Sequence, residues 1–228
     1  MSKKAIVLLS GGLDSATVIA IAKLQGFDVI ALSFDYGQRH RCEIESSVKI
    51  AKKNNAVKHV VIKIEPSVFS GTSLSASSGM EVPKSRDIEN EQGIPSTYVP
   101  ARNILFLSYA LSIAEGEGAR DIFIGVNALD YSGYPDCRPE FIEAYQKMAN
   151  LGTKTGAEGG KITIHAPLQY LKKSEIIKKG VSIGVDYSIT HSCYDPVNGV
   201  ACGKCDSCVL RKKGFSEAGL EDPVPYIS

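Results

Sequence analysis

Five short apolar runs, set among stretches of helical period, constrain this chain more than anything else in it. They cover residues 6–9 (IVLL), 29–34 (VIALSF), 59–64 (HVVIKI), 121–126 (DIFIGV) and 162–167 (ITIHAP). Helical spacing runs from about Ser15 with Val18, Ile19 and Ala22, and across 43–53 with Ile44, Val48 and Ala51. It returns at 102–115, from about Pro139 with Phe141, Tyr145 and Met148, and at 173–184. Strands this short and this uniformly apolar are buried on both faces, so their alternation with helices predicts an α/β, Rossmann-like parallel sheet with helices on both sides. A length of 228 residues suits one such domain over 1–190 with a small appendage over 191–228. Between 65 and 99 the periodicity lapses while Ser, Gly and Pro accumulate, the signature of a lid-like loop.

Directly after the first run stands SGGLDS, residues 10–15. Gly11 and Gly12 permit a tight turn that exposes successive N–H groups, and the following helix aims its positive end at the same point. Ser10 and Ser15 add hydroxyls, and Asp14 can orient the loop or help hold the magnesium of a nucleotide. A generic double glycine before a helix is more often a capped turn than an anion cradle. This one is neither the loop ending in Gly-Lys-Ser/Thr nor Gly-x-Gly-x-x-Gly. It resembles the Ser-Gly-Gly-x-Asp-Ser signature of the ATP pyrophosphatase (PP-loop) superfamily, which has the adenine nucleotide alpha hydrolase-like fold and cleaves ATP between its α and β phosphates. The resemblance implies that Ser10, Gly11, Gly12, Leu13, Asp14 and Ser15 hold ATP with Mg2+, that adenine lies near the end of the second strand, about Ser33 to Tyr36 with Ser33 among the ATP-binding residues, and that Lys173 of the later PL…KSEI element reaches the phosphates. Taken alone, such a lysine is more often a solvated helix residue.

Six cysteines without an export signal imply a reducing, cytoplasmic setting, in which clustered thiols bind metal more often than they pair. Cys193, Cys202, Cys205 and Cys208 form C-x8-C-x2-C-x2-C, for which tetrahedral zinc is the natural occupant. Four thiolates close the coordination sphere, so the metal is structural; an iron–sulfur cluster is the alternative that spacing leaves open. Arg211-Lys212-Lys213 follows, either a handle for RNA phosphates or an ordinary solvated helix end. A formal net charge of +1 gives no reason to expect nucleic acid, and no run reaches membrane-spanning length.

Further segments, YGQRH at 36–40, PARN at 100–103 and GVNALDYSGYPDCR at 125–138, together with SGGLDS and the four cysteines, closely resemble the family of 7-cyano-7-deazaguanine synthases over nearly the whole chain. Ala101 stands where the related segment is commonly PGRN. That family implies ATP-dependent conversion of 7-carboxy-7-deazaguanine and ammonia to a nitrile, through adenylated acid and amide, in a homodimer. It implies that Asp14, Arg102 and Lys173 serve catalysis, with Arg102 on the carboxylate or the α-phosphate. Asp130 and Asp136 would accept from the guanine-like edge, while Tyr131, Tyr134 and Phe141 would stack on the ring. The ordinary alternatives are turn caps for the two acids, helix core for Phe141, and supporting positions for Gln38 and His40. No cysteine has the setting of a glutaminase nucleophile, so free ammonium is the expected nitrogen source. Two other functions are compatible with the residues: a superfamily enzyme thiolating tRNA or forming lysidine, with Cys137 reactive, or a non-catalytic nucleotide-binding module.

Overall fold

A computed structural model describes residues 3–38, 42–75, 78–85, 93–129 and 134–227. Five parallel strands form one sheet: β1 (Lys4–Leu8), β2 (Asp28–Asp35), β3 (Lys58–Lys63), β4 (Asp121–Phe123) and β5 (Thr163–His165). Their order is β3-β2-β1-β4-β5. Chain order therefore reverses between β1 and β4, and open α/β sheets bind ligands at the carboxyl ends of strands flanking such a reversal.

The period of two along each strand sorts its side chains between two cores. Ile6, Leu8, Ile30, Leu32 and Phe34 face one side, where α3 (Arg102–Glu117) and α4 (Pro139–Gly152) bring Leu107, Ala110, Ala114, Ile142 and Ala149. Ala5, Val7, Leu9, Val29 and Ala31 face the other, covered by α1 (Leu13–Leu24), α2 (Cys42–Lys53) and, beyond the single turn α5 (Lys154–Ala157), by α6 (Lys173–Ser182). With both faces covered, the continuous apolar runs are explained, since no face of the inner strands meets water.

The fourth strand is shorter than its apolar run. Pairing ends at Phe123, one further bond joins Ile124 N–H to His165 O at 2.9 Å, and the backbone then passes over α1. A Cβ on Gly125 would lie 3.4 Å from the Ser15 nitrogen, so the glycine permits this close pass. The last helix, α7 (Asp206–Ala218), packs on α6, and the four cysteines belong to the same core as α3. The stretch expected as a lid carries buried anchors, among them Phe69, Ser73, Leu74, Val82, Thr97 and Val99. Ser85 N–H donates to Lys204 O at 2.9 Å, and Lys84 pairs with Asp195 at 2.7 Å, which fastens this stretch to the cysteine loop.

Candidate active site

At the reversal point a cavity opens above the carboxyl ends of β1, β2 and β4. Its wall includes Ser10, Gly12, Leu13, Asp14 and Ser15 from the loop, Arg102 and Asn103 from α3, and Tyr134 and Cys137 before α4. Phe34 and Phe106, stacked with centroids 3.8 Å apart, contribute its apolar side.

The loop is held in a shape suited to anions. Gly11 has φ +95°, and a Cβ there would run into the Glu43 carbonyl oxygen, so no other residue fits. Three successive N–H groups donate to hydroxyls: Gly11 to Ser15 Oγ at 3.2 Å, Gly12 to Ser10 Oγ at 3.3 Å and Leu13 to Ser192 Oγ at 3.3 Å. Bonds of this length are weak, and phosphate oxygens are stronger acceptors for the same donors. Asp14 is held by Lys173, whose Nζ donates to both carboxylate oxygens at 2.8 Å. Lys173 opens α6, and Asn127 Nδ2 fixes the turn before it by donating to Leu171 O at 2.5 Å.

Arg102 Nη1 donates to Tyr36 Oη at 3.3 Å. Its position follows from an unusual helix start. Ala101 adopts φ 53°, ψ 22°, the left-handed conformation that glycine takes most readily. Asp136 Oδ2 accepts the Asn103 N–H at 3.0 Å, so a carboxylate from another element caps α3. Asn103 Nδ2 returns a bond to Asp136 O at 3.1 Å.

The side chains expected around the substrate and the adenine are only partly brought to the cavity. Asp136 is buried beneath the α3 start, as above, and Phe141 lies on α4 with its ring 5.9 Å from Tyr145, outside the cavity wall. Ser33 points to the opposite face of β2 from Leu32 and Phe34, bonding Leu9 O at 2.5 Å and His59 Nε2 at 2.8 Å. Tyr134 does reach the cavity, anchored by its hydroxyl to Thr97 Oγ1 at 2.7 Å. Asp130, Tyr131 and His40 lie outside the described residues. Burial, with Asp136 alongside, pushes the Cys137 thiol up to about 12, the opposite of what a sulfur-transfer nucleophile needs. Arg211 is no RNA handle: its guanidinium is buried, bonded to both oxygens of Asp222 at 2.9 Å and to Thr190 Oγ1 at 2.7 Å.

Glu43, Ser192 and Tyr194 also line the cavity, and sequence reasoning did not single them out. Ser192 and Tyr194 flank a metal-type cysteine, the one signal that would have marked them. Burial raises the Glu43 carboxyl to about 7, with Arg102 acting against the rise.

The sulfurs of Cys193, Cys202, Cys205 and Cys208 all lie within 4.8 Å of one another and are buried. A tetrahedron with metal–sulfur bonds of roughly 2.3 Å has edges of roughly 3.8 Å, so the four fit a single ion. A multi-iron cluster would need them further apart. Backbone N–H groups of Tyr194, Asp195, Cys202 and Cys205 donate to these sulfurs at 3.2–3.4 Å, favouring thiolates.

A family description, "Queuosine biosynthesis protein QueC", matches residues 4–219. The 7-cyano-7-deazaguanine synthase of Desulfatibacillum aliphaticivorans is 60% identical over 99% of this chain and 97% of its own. That of Geotalea uraniireducens is 58% identical over 100% and 98%. Among solved structures, NMN synthetase from Francisella tularensis matches with TM-score 0.51 at 18% identity, covering 96% of this chain and 79% of its own, a likeness of fold.

Proposed function

The chain belongs to the QueC family of queuosine biosynthesis proteins, and from that premise we propose how its residues divide the work of a 7-cyano-7-deazaguanine synthase. It is an enzyme of queuosine biosynthesis, a ligase forming carbon–nitrogen bonds. The reaction consumes ATP, 7-carboxy-7-deazaguanine and ammonia. A carboxylate is a poor electrophile, and joining it to AMP supplies a leaving group. Ammonia then gives the amide, and a second activation and loss of AMP leave the nitrile.

One observation carries the assignment of roles: the SGGLDS loop and Arg102 face each other across a single cavity at the strand-order reversal. The N–H groups of Gly11, Gly12 and Leu13 exchange their hydroxyl acceptors for pyrophosphate oxygens. Lys173 keeps Asp14 in place and adds positive charge beside the phosphates, which magnesium accompanies. Arg102 neutralises the substrate carboxylate and then the α-phosphate as charge shifts between them. Tyr134 offers a ring for the deazaguanine to stack on, and Phe34 and Phe106 an apolar bed. Asp130 and Tyr131 keep their proposed substrate contacts, whereas Asp136 acts through α3 by fixing Arg102. The four thiolates hold zinc, whose closed coordination makes it a structural ion. Self-association as a homodimer belongs to the same reading.

Mass spectrometry of the protein with ATP, magnesium, ammonium and 7-carboxy-7-deazaguanine, beside an Asp14→Ala control, tests it. AMP and the nitrile are expected together from the wild type and to be lost in the control. Neither product from a zinc-loaded wild type would overturn the reading.

A further inference from the structure

Beside the main cavity lies a second of about 40 Å³, against about 210 Å³ for the first. Both have Tyr36, Glu43, Arg102 and Tyr194 in their walls. Since one water-sized molecule needs roughly 10–15 Å³, the side cavity has room for about three and none for a nucleotide or a fused ring. It is an annex of the right size for the smallest substrate.

Among the described residues the charges at the junction are few. Asp14 and Glu43 are the carboxylates among the described residues of the main wall, and Asp14 already has Lys173 on both oxygens. Glu43 has no hydrogen bond or ion pair of its own among the described residues, although Arg102 acts on it through space. It stands in the first turn of α2, whose backbone touches Gly11, so it is fixed beside the phosphate loop. The other titratable or charged groups around it among the described residues are Arg102 from α3, Tyr36 after β2 and Tyr194, with the Cys193 sulfur, one of the four metal-type thiols, in the side-cavity wall. An ammonium ion entering among them meets a carboxylate that no described side chain bonds or pairs with directly.

We propose that the Glu43 carboxylate binds the incoming ammonium and takes its proton, releasing ammonia next to the adenylate. This rests on the synthase reading above. Ammonium has no lone pair and cannot attack. One proton passes to Glu43, the freed pair on nitrogen forms the carbon–nitrogen bond, and the bond from the acyl carbon to the AMP oxygen breaks with its electrons leaving on AMP. The nitrogen then loses a second proton to water, giving the amide. A general base works best when its pKa lies near the working pH, and burial brings Glu43 there.

The test separates activation of the carboxylate from the attack on it. Pyrophosphate–ATP exchange that depends on 7-carboxy-7-deazaguanine reads the first step, and amide formation reads the second, each in wild type, Glu43→Gln and Glu43→Asp. Glu43→Gln is expected to lower kcat/KM for ammonium by about 10²–10⁴-fold, far more than it lowers exchange, with Glu43→Asp recovering part of the loss. Hydroxylamine, which is already a neutral nucleophile at neutral pH, should restore acyl transfer in Glu43→Gln. Equal losses of exchange and amidation, or equal losses with hydroxylamine and ammonium, would overturn the assignment and make Glu43 a residue for holding ATP or the acid. A wild type without carboxylate-dependent exchange would refute the synthase reading, and this assignment with it.

Discussion

Lys173 Nζ donates to both carboxylate oxygens of Asp14 at 2.8 Å, joining the first residue of α6 to the first turn of α1. The lysine side chain is about one-tenth exposed and the aspartate about a quarter, so water screens the pair only in part. Lys173→Met leaves the Asp14 carboxylate without this cation beside the proposed phosphate site. A stability loss of about 1.5–3 kcal/mol is expected in urea unfolding, together with a collapse of pyrophosphate–ATP exchange. Wild-type exchange in this variant would remove Lys173 from the phosphate site.

Ser192→Ala deletes a hydroxyl that now accepts the Leu13 N–H. The donor stays available to a nucleotide, but the loop loses a brace. Because that brace belongs to the free loop and gives way when the Leu13 N–H turns to the nucleotide, calorimetric titration should show ATP binding strengthened by about 0.5–1.5 kcal/mol, with the zinc content unchanged.

Metal removal should reach further than the cysteine loop. Ser192, Tyr194 and Ser207, which stand next to the cysteines in sequence, form part of the cavity wall. Chelation, or Cys205→Ser, is expected to abolish ATP binding in step with the metal lost, and added zinc to restore it after chelation. Undiminished ATP affinity in metal-free protein would show that the wall stands without the ion.

Ala101→Gly should stabilise the fold. A non-glycine residue at φ 53° carries a left-handed penalty of about 1–2 kcal/mol, against about 0.5–1 kcal/mol for glycine's greater freedom when unfolded. A net gain of about 0.5–1 kcal/mol is expected in denaturant unfolding, with exchange activity retained because Arg102 keeps its place.

Glu43 gives stability a pH dependence of known sign. Its folded value of about 7 lies above the ordinary 4.5, so between these limits the folded chain binds more protons than the unfolded one. Stability then falls as pH rises through that window. Glu43→Gln should be more stable than wild type above pH 7 and gain nothing below pH 4.5. Unfolding curves across that range measure the difference.

The sheet was legible in the sequence because each strand leaves an apolar run, largely buried in β1, β2 and β4 and partly exposed at the β3 edge, and the loop and the cysteines because their chemistry depends on close spacing. Other features depend on distant packing. The inward turn of Asp136 onto the α3 start was hidden because only the fold brings residues 103 and 136 together. Glu43 was hidden for the same reason, as its place beside Gly11 exists only once α2 docks on the loop. Ser33 is different: the alternation that sends Leu32 and Phe34 toward the cavity side already sends Ser33 the other way. Which side chains of the 33–36 stretch reach the cavity, Phe34 and Tyr36 but not Ser33, was a question of strand parity, readable from residue numbers alone.

Leu13 and Ser192 are 179 positions apart, and His191 N–H likewise reaches back to Gly11 O at 2.9 Å. At roughly 5–20 residues per second of translation, that separation amounts to a wait of roughly 10–35 seconds. The loop is therefore completed long after it is encoded. A nascent chain shorter than this carries the whole SGGLDS sequence yet lacks the partners that brace it, so synthesis itself withholds the finished loop until residues 191 and 192 have emerged.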